Sequence, residues 1–541
     1  MTRLARPRRR VSLVGLVSAA LLATPLLATP VMAITTPATA QPAAASVPAL
    51  IPKPTSQQAL AGQDYSLKPW SVVGVASSSK ERRAAQKVAD QLTSQLRRTT
   101  GYPLPVVPHV ARVTDIKLST NGPSTLGAEG YQLRVDRKGV SVTAATPEGL
   151  FRGVTTLRQL LPAKADARTR QAGPWNLPGT AIADSPRYEY RGAMLDVSRH
   201  FFSVAEVKRY IDLASLYKLN KLHMHLADDQ GWRIQIDSWP RLTTYGGSLE
   251  VNGTPGGSYT KAQFAEIVRY AADRYLQVIP EIDTPGHTNA ALASYAQLNC
   301  DGVAPPLYTG TDVGFSSLCV AKPLTYSFLG DVFRELAQQT PGDIIHLGGD
   351  EAHSTPHSDY QTFVPKAAAA VTKQHKRVMG WQEIGDTVLP AGSIAQYWGT
   401  DDAGSQELAR KAAAQGAKVV MSPANRAYLD MKYDENTPYG QDWAGLVSVQ
   451  TAYDWNPSTL VPNLPESAVA GVEAPLWTET LDDVDKLEYM AFPRLPGIAE
   501  LGWSQASALD WTAYKDRLGA QASRWDALSV NFYRAPEINW R

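Results

Sequence analysis

From Arg187 onward, short apolar runs alternate with amphipathic helical stretches, and this alternation restricts the fold more than any other feature of the chain. Strands are expected at 192–195, 222–226, 278–282, 344–347, 377–379, 394–397, 418–421 and 472–477. Ser203 with Glu206, and Thr260 with Gln263, have capping-box spacing ahead of helices that carry Val207, Ile211 and Ala214, and Phe264, Ile267, Val268 and Ala271, on one face. Strands separated by helices in this way are expected to close into a (β/α)8 TIM barrel. A doubly wound sheet is the competing fold, disfavoured because no glycine-rich phosphate loop opens a helix after a strand.

Barrels of this kind place chemistry at the carboxyl ends of their strands. Just past the expected strands stand Asp196 and Arg199, Asp228, Asp283 and His287, Asp350 and Glu351, Trp381, Trp398, Tyr428 and Asp430, and Trp477 and Glu479. Each taken alone has an ordinary structural reading as core, surface ion pair or loop residue. Together on one face they describe a pocket for an amphipathic ring. Within this set the run from Ile344 to His353, Ile-Ile-His-Leu-Gly-Gly-Asp-Glu-Ala-His, is the most pointed. Gly348 and Gly349 remove side chains where something must approach the backbone. The adjacent carboxylates of Asp350 and Glu351 repel, so one is expected to resist ionisation and to suit general acid work.

The preceding segment, 55–185, reads as a small α+β domain in a supporting role. Ala84, Val88, Leu92 and Leu96 share a helical face that Gly101 ends, and 131–135 with 140–144 form a hairpin. Residues 1–33, with Arg3, Arg6, Arg8, Arg9 and Arg10 before an apolar run and Val31-Met32-Ala33, read as a secretory signal peptide; the arginines leave a twin-arginine route open. Residues 34–54, rich in Ala and Pro, read as a flexible linker, which makes the expected product secreted, with no stable membrane anchor. Cleavage removes five of the 53 Lys+Arg and none of the 51 Asp+Glu, leaving 48 against 51, or −3. No basic block carries interleaved aromatics, so nucleic acid is not an expected partner. The two cysteines, Cys300 and Cys319, are expected to bond in an oxidising compartment, with a metal site the lesser alternative.

The motif residues resemble one family. His346-Leu-Gly-Gly-Asp-Glu351 is similar to the signature of the glycoside hydrolase family 20 β-N-acetylhexosaminidases of secreted bacterial type. Leu195-Asp-Val-Ser-Arg-His-Phe-Phe202, His223-Met-His-Leu-Ala-Asp-Asp-Gln-Gly-Trp232, Glu281-Ile-Asp-Thr-Pro-Gly-His287, Gly380-Trp-Gln-Glu383 and Leu476-Trp-Thr-Glu479 support it, over a barrel spanning 186–541. The resemblance implies an exo-acting enzyme that removes terminal N-acetylglucosamine or N-acetylgalactosamine with retention, the substrate's acetamido oxygen serving as nucleophile. It implies Glu351 as acid and base, Asp350 as holder of the acetamido group and Tyr428 as donor to its oxygen. Trp381, Trp398 and Trp477 become the wall; Arg199, Asp430 and Glu479 bind hydroxyls; Asp228 and His287 support the acids; Trp443 meets the leaving group. No cofactor or metal is implied. The implied partners are N-acetylhexosamine-terminated oligosaccharides such as chitin oligomers; the sequence leaves the oligomeric state open, with a monomer as the working guess.

Three rival readings remain at this point. His223 and His225 alternate at a strand end and share a face, as ligands of a metal-dependent barrel hydrolase do. A secreted glycan-binding protein on an inactive barrel is a second, though pure binding has no use for an adjacent acid pair. A chitinase-type endo-acting barrel is the third, and it needs an open cleft.

Overall fold

In the computed structural model, which describes residues 16, 47–109 and 114–541, eight parallel strands close into a barrel. They are β1 (Tyr190–Asp196), β2 (Lys221–His225), β3 (Gln277–Glu281), β4 (Ile344–His346), β5 (Arg377–Trp381), β6 (Ile394–Tyr397), β7 (Lys418–Met421) and β8 (Val469–Ala474). Each pairs with the next in chain order, and β1 closes the ring by pairing with β8. Helices cover the outside. Val204–Ser215 and Lys261–Ala272 begin at the capping boxes of Ser203 with Glu206 and Thr260 with Gln263, and each turns its Val, Ile and Phe residues onto the strands.

The last strand departs from expectation. The run 472–477 was expected to be strand, whereas β8 stops at Ala474 and begins earlier, at Val469. Pro475 has no N–H to give to a ladder, so the strand ends before it and frees Trp477 and Glu479 to stand above the barrel. At Gly471, φ is 153° and an added Cβ would lie 1.8 Å from the Tyr190 carbonyl oxygen, so only glycine lets β8 close against β1.

Ahead of the barrel a seven-stranded mixed sheet runs in the order Ser56–Ala59, Thr180–Asp184, Tyr131–Asp136, Gly139–Ala144, Ile116–Ser119, Val73–Ala76, Val106–Val107. Helices Arg82–Thr100 and Pro147–Leu160 pack together on it, the first ending at Gly101 with φ 73°. This domain grips the amino-terminal side of the barrel, opposite the catalytic face. Arg152 donates to Glu129 at 2.9 Å and to the carbonyls of Leu219 and Tyr275, which precede β2 and β3, while Arg191 at the start of β1 donates to the same Glu129. Lys218 donates to Asp184 at 2.8 Å, and Trp503 Nε1 donates to the other oxygen of that carboxylate at 3.0 Å.

The expected leader and most of the linker, residues 1–46 apart from Leu16, lie outside the described residues. The linker reading is corrected at its carboxyl end. Leu50 joins the core of the small domain and Ile51 that of the barrel, and both are buried. The Ile51 N–H donates to Gln159 at 3.0 Å and the Lys53 N–H to Glu500 at 2.8 Å. Composition rich in Ala and Pro masked an apolar pair that stabilises a fixed strap. Among the described residues no helix is long and apolar enough to cross a membrane.

Candidate active site

The turn after β4 is the most constrained piece of backbone at the catalytic face. Gly348 and Gly349 have φ of 75° and 106°, and Glu351, which carries a side chain, has φ 42°. A non-glycine residue there is strained by roughly 1–3 kcal/mol, a cost met by the surrounding packing. The glycines are needed for close approach: a Cβ on Gly348 would sit 1.7 Å from Asp283 Oδ1, and one on Gly349 would crowd Ile384 and the Tyr360 hydroxyl. The Gly349 N–H donates to Asp283 at 3.1 Å, and Tyr360 donates to the Gly349 carbonyl at 2.7 Å. His287 has positive φ as well, 54°.

This turn separates the two acids. Asp350 is buried and Glu351 faces the open end. The expected repulsion of neighbours is present but second in importance: burial comes first in raising Asp350 to about 6, with the Glu351 charge adding to it and His287 opposing. The acid raised in this way is Asp350, which the resemblance casts as holder of the acetamido group. Asp283, hydrogen-bonded to Asp350, is pushed well above the usual carboxylate range by burial and then by the Asp350 charge. Asp283 therefore keeps a proton, which turns a contact between two acids into a hydrogen bond and leaves Asp350 as the anion.

A chain of polar contacts runs from the barrel interior to Glu351. Glu281, at the end of β3, accepts from His225 Nδ1 at 2.5 Å and from Trp381 Nε1 at 2.9 Å. His225 Nε2 meets Asp228 at 2.8 Å, and Asp228 holds Arg199 at 2.9 Å and His287 Nδ1 at 3.1 Å. His287 Nε2 then lies 3.4 Å from Glu351 and 3.7 Å from Asp350. Burial opposes a charge on His287, but the charges of Asp228, foremost, and of Asp350 outweigh it and hold its pKa well above the ordinary value. Arg199 also donates to Gln230 at 3.1 Å and approaches Glu479 at 3.9 Å. Burial, followed by the charge of Glu479, raises Asp430 well above the carboxylate range, so this second acid pair also retains a proton.

The aromatics form one continuous wall. Trp381 and Trp477 centroids are 5.8 Å apart, Tyr428 is 6.1 Å from Trp477, Trp443 meets Tyr428 edge-on at 6.1 Å, and Trp398 meets Trp443 edge-on at 6.0 Å. The Arg199 guanidinium lies 4.9 Å over the Trp477 ring. Trp381 is fully buried, while Trp443 is 54 % exposed and forms the rim. Every residue expected at the catalytic face from sequence is brought together there. Roles for Asp283, Glu281, Gln230 and Tyr360 were not assigned from sequence. An acid closing the apolar run of β3 was the available signal for Glu281, whereas Tyr360 stands on helix His357–Thr372 with no local cue.

His223 and His225 do share the inward face, but as parts of the acid network. His223, His346 and Glu281 bring potential ligand atoms within 4.8 Å of one another. Burial opposes protonation of His223 and His225, yet Glu473 and Glu281 outweigh it for the first and Glu281 for the second, raising them to about 9 and about 10. Cys300 and Cys319 are bonded. The loop they close is tied to the site through the Ser316 hydroxyl, which donates to Asp229 at 2.5 Å, and the Gly310 carbonyl, which accepts from Gln230 at 2.9 Å.

The site belongs to a known group. The catalytic-domain model of glycosyl hydrolase family 20 matches residues 188–506, and the model of that family's domain 2 matches residues 47–185. A Cellulomonas fimi β-N-acetylhexosaminidase is 42 % identical over 499 residues, 91 % of this chain and 97 % of that protein. The solved β-N-acetylhexosaminidase of Streptomyces coelicolor is 54 % identical, covers 91 % of this chain and 99 % of its own, and superposes with a TM-score of 0.88. A Streptomyces plicatus N-acetyl-β-hexosaminidase bound to Thio-NAglucal gives 55 % identity, coverage of 91 % and 98 %, and the same TM-score of 0.88. With its catalytic domain matched from β1 through the last strand and its acid pair set on the turn after β4, the chain belongs to glycosyl hydrolase family 20 and is a glycoside hydrolase.

Proposed function

We propose that the protein is an exo-acting β-N-acetylhexosaminidase that removes terminal non-reducing N-acetylglucosamine or N-acetylgalactosamine by a retaining, substrate-assisted reaction. The observation that carries this reading is the division of labour between Asp350 and Glu351. One is a buried anion braced by a protonated Asp283, and the other is a partly exposed acid beside His287. In the first step Glu351 gives its proton to the glycosidic oxygen while the acetamido carbonyl oxygen attacks C1, forming an oxazolinium and releasing the aglycone. Asp350 orients the acetamido N–H and stabilises the positive charge that develops on it. In the second step Glu351 takes a proton from water, which attacks C1 from the vacated face and reopens the ring. Two displacements restore the β configuration.

Trp381, Trp398 and Trp477 hold the acetamido group bent beneath the sugar, which supplies orientation to an intramolecular attack. Tyr428 donates to the acetamido oxygen. Arg199, Asp430 and Glu479 bind hydroxyls at the closed end of the pocket, which suits a terminal sugar, and Trp443 at the rim meets the leaving group. Asp228 and His287 hold Glu351 in place. Export through the leader at 1–33, and chitin oligosaccharides as natural substrate, complete the proposal. The names of the relatives and the Thio-NAglucal complex of the Streptomyces plicatus protein support it.

Aryl β-glycosides of N-acetylglucosamine, N-acetylgalactosamine and glucose, assayed side by side, test the reading. The glucoside, bearing a 2-hydroxyl, is expected to react orders of magnitude more slowly, since the neighbouring nucleophile is gone. Comparable rates, or inversion at C1, would overturn the mechanism. Activity is also expected to survive exhaustive chelation; loss with recovery on added zinc would return the His223 and His225 metal reading.

A further inference from the structure

Glu383 lies outside the roles assigned so far, yet its side chain is committed to the pocket wall. It belongs to the turn Gln382–Asp386, which follows β5 directly, so its position is set by the same strand that ends in Trp381. Gln382 Oε1 accepts from the backbone N–H groups of Trp398 and Gly399, at 2.8 and 3.2 Å. Both carboxyl oxygens of Glu383 accept from Trp398 Nε1, at 3.1 and 3.2 Å. Two consecutive residues of one turn thus hold the backbone and the indole of the tryptophan that follows β6.

The indole needs such a tether. Trp398 borders an open cavity of about 490 Å³, which it shares with Glu351, His353, His357, Tyr360, Glu383 and Asp386. A ring bordering open space has no close-packed neighbours on that side to fix its rotamer. Its ring also meets the exposed Trp443 edge-on. Burial, helped by the nearby charges of Asp350 and Glu351, raises Glu383 to about 8, so near neutrality it is an uncharged acceptor and adds no anion beside the acid pair.

We propose that Glu383 is a positioning residue: its carboxyl fixes the Trp398 indole in the wall against the acetamido group and acts on substrate only through that ring. The proposal rests on the reading of Trp398 as part of the sugar-binding wall. Second-layer support of this kind decides whether a contact residue is held within a fraction of an ångström of its working position.

The test is a mutant cycle on aryl N-acetylglucosaminide hydrolysis. Glu383→Leu is expected to lower kcat/KM about tenfold and Glu383→Gln, which keeps a neutral acceptor of the same shape, to recover most of that loss; on a Trp398→Phe background Glu383→Leu is expected to add less than about twofold. Additive losses, or a Gln variant as impaired as the Leu variant, would overturn the proposal. Should the Leu variant not fold, hydrogen exchange of the indole N–H groups in the native protein decides the matter. The Trp398 N–H is expected to exchange at least about tenfold more slowly than that of Trp443, and equal rates refute the tether. Exchange is read without substrate, so a native protein inactive on every N-acetylhexosaminide would refute the function proposed above while leaving the tether to be judged separately.

Discussion

At the scale of single residues, Asp350 and Glu351 are adjacent in sequence and opposite in circumstance. Glu351→Gln is expected to abolish most turnover of substrates with poor leaving groups, by about 10²- to 10⁴-fold, and to spare those whose aglycone departs without a proton. Equal losses on both would remove Glu351 from the acid role. For Asp350 the pH argument has a definite sign. Its folded-state pKa is raised from 3.8 to about 6, burial being the first cause, so its stabilising contribution is complete below the unfolded value and is lost as pH rises through about 6. Asp350→Asn removes the buried anion, and is expected to raise Tm relative to the native protein at about pH 7 but not at about pH 4. The same ionisation should set the acid limb of native kcat/KM near 6, with activity falling below it. A Tm difference independent of pH would show that Asp350 is not the titrating group.

At the scale of elements, the turn after β4 and the bonded loop after β3 are the parts that hold the site open. Gly348→Ala would place a methyl group 1.7 Å from Asp283 Oδ1 at a φ of 75°. It is expected to cost at least about 3 kcal/mol in denaturant unfolding, well beyond the ordinary Gly-to-Ala effect. Breaking Cys300–Cys319, which closes a loop with a sequence separation of 19, is expected to cost on the order of 3 kcal/mol, read as a lower unfolding midpoint of a doubly Ser-substituted protein. The elements were legible to different degrees, for physical reasons. β4, β6 and β7 are short apolar runs between clear breakers, and their positions could be read directly. The end of β8 could not be read from hydrophobicity, because Leu476 and Trp477 continue the apolar run and only the missing N–H of Pro475 stops the ladder. The acids at the strand ends were legible as a set, since the barrel brings all eight ends to one face. The hub at Glu281 was not, because its partners His225, His346 and Trp381 come from three other strands, and nothing local records that convergence.

At the scale of the whole molecule, the small domain and the barrel share buried charge. Arg152 and Arg191 are both fully buried, and both rest on Glu129. Glu129→Ala would leave two guanidinium groups side by side with only Glu148 to answer them, and is expected to cost about 3 kcal/mol or more while the folded fraction keeps its kcat/KM. A variant of unchanged stability would show that Glu129 does not hold the two domains together. The strap at Leu50 to Lys53 completes this join, since Arg517 donates to the Leu50 carbonyl at 2.8 Å and to Glu500, which also receives the Lys53 N–H. This gives the strap a practical meaning for handling the protein. A purification tag or fusion partner joined ahead of Val47 leaves every one of these bonds in place. One joined at Thr55, where the small sheet begins, would discard the latch between the last helices and the rest of the body, and with it the shelf life of a preparation whose active site had not been touched.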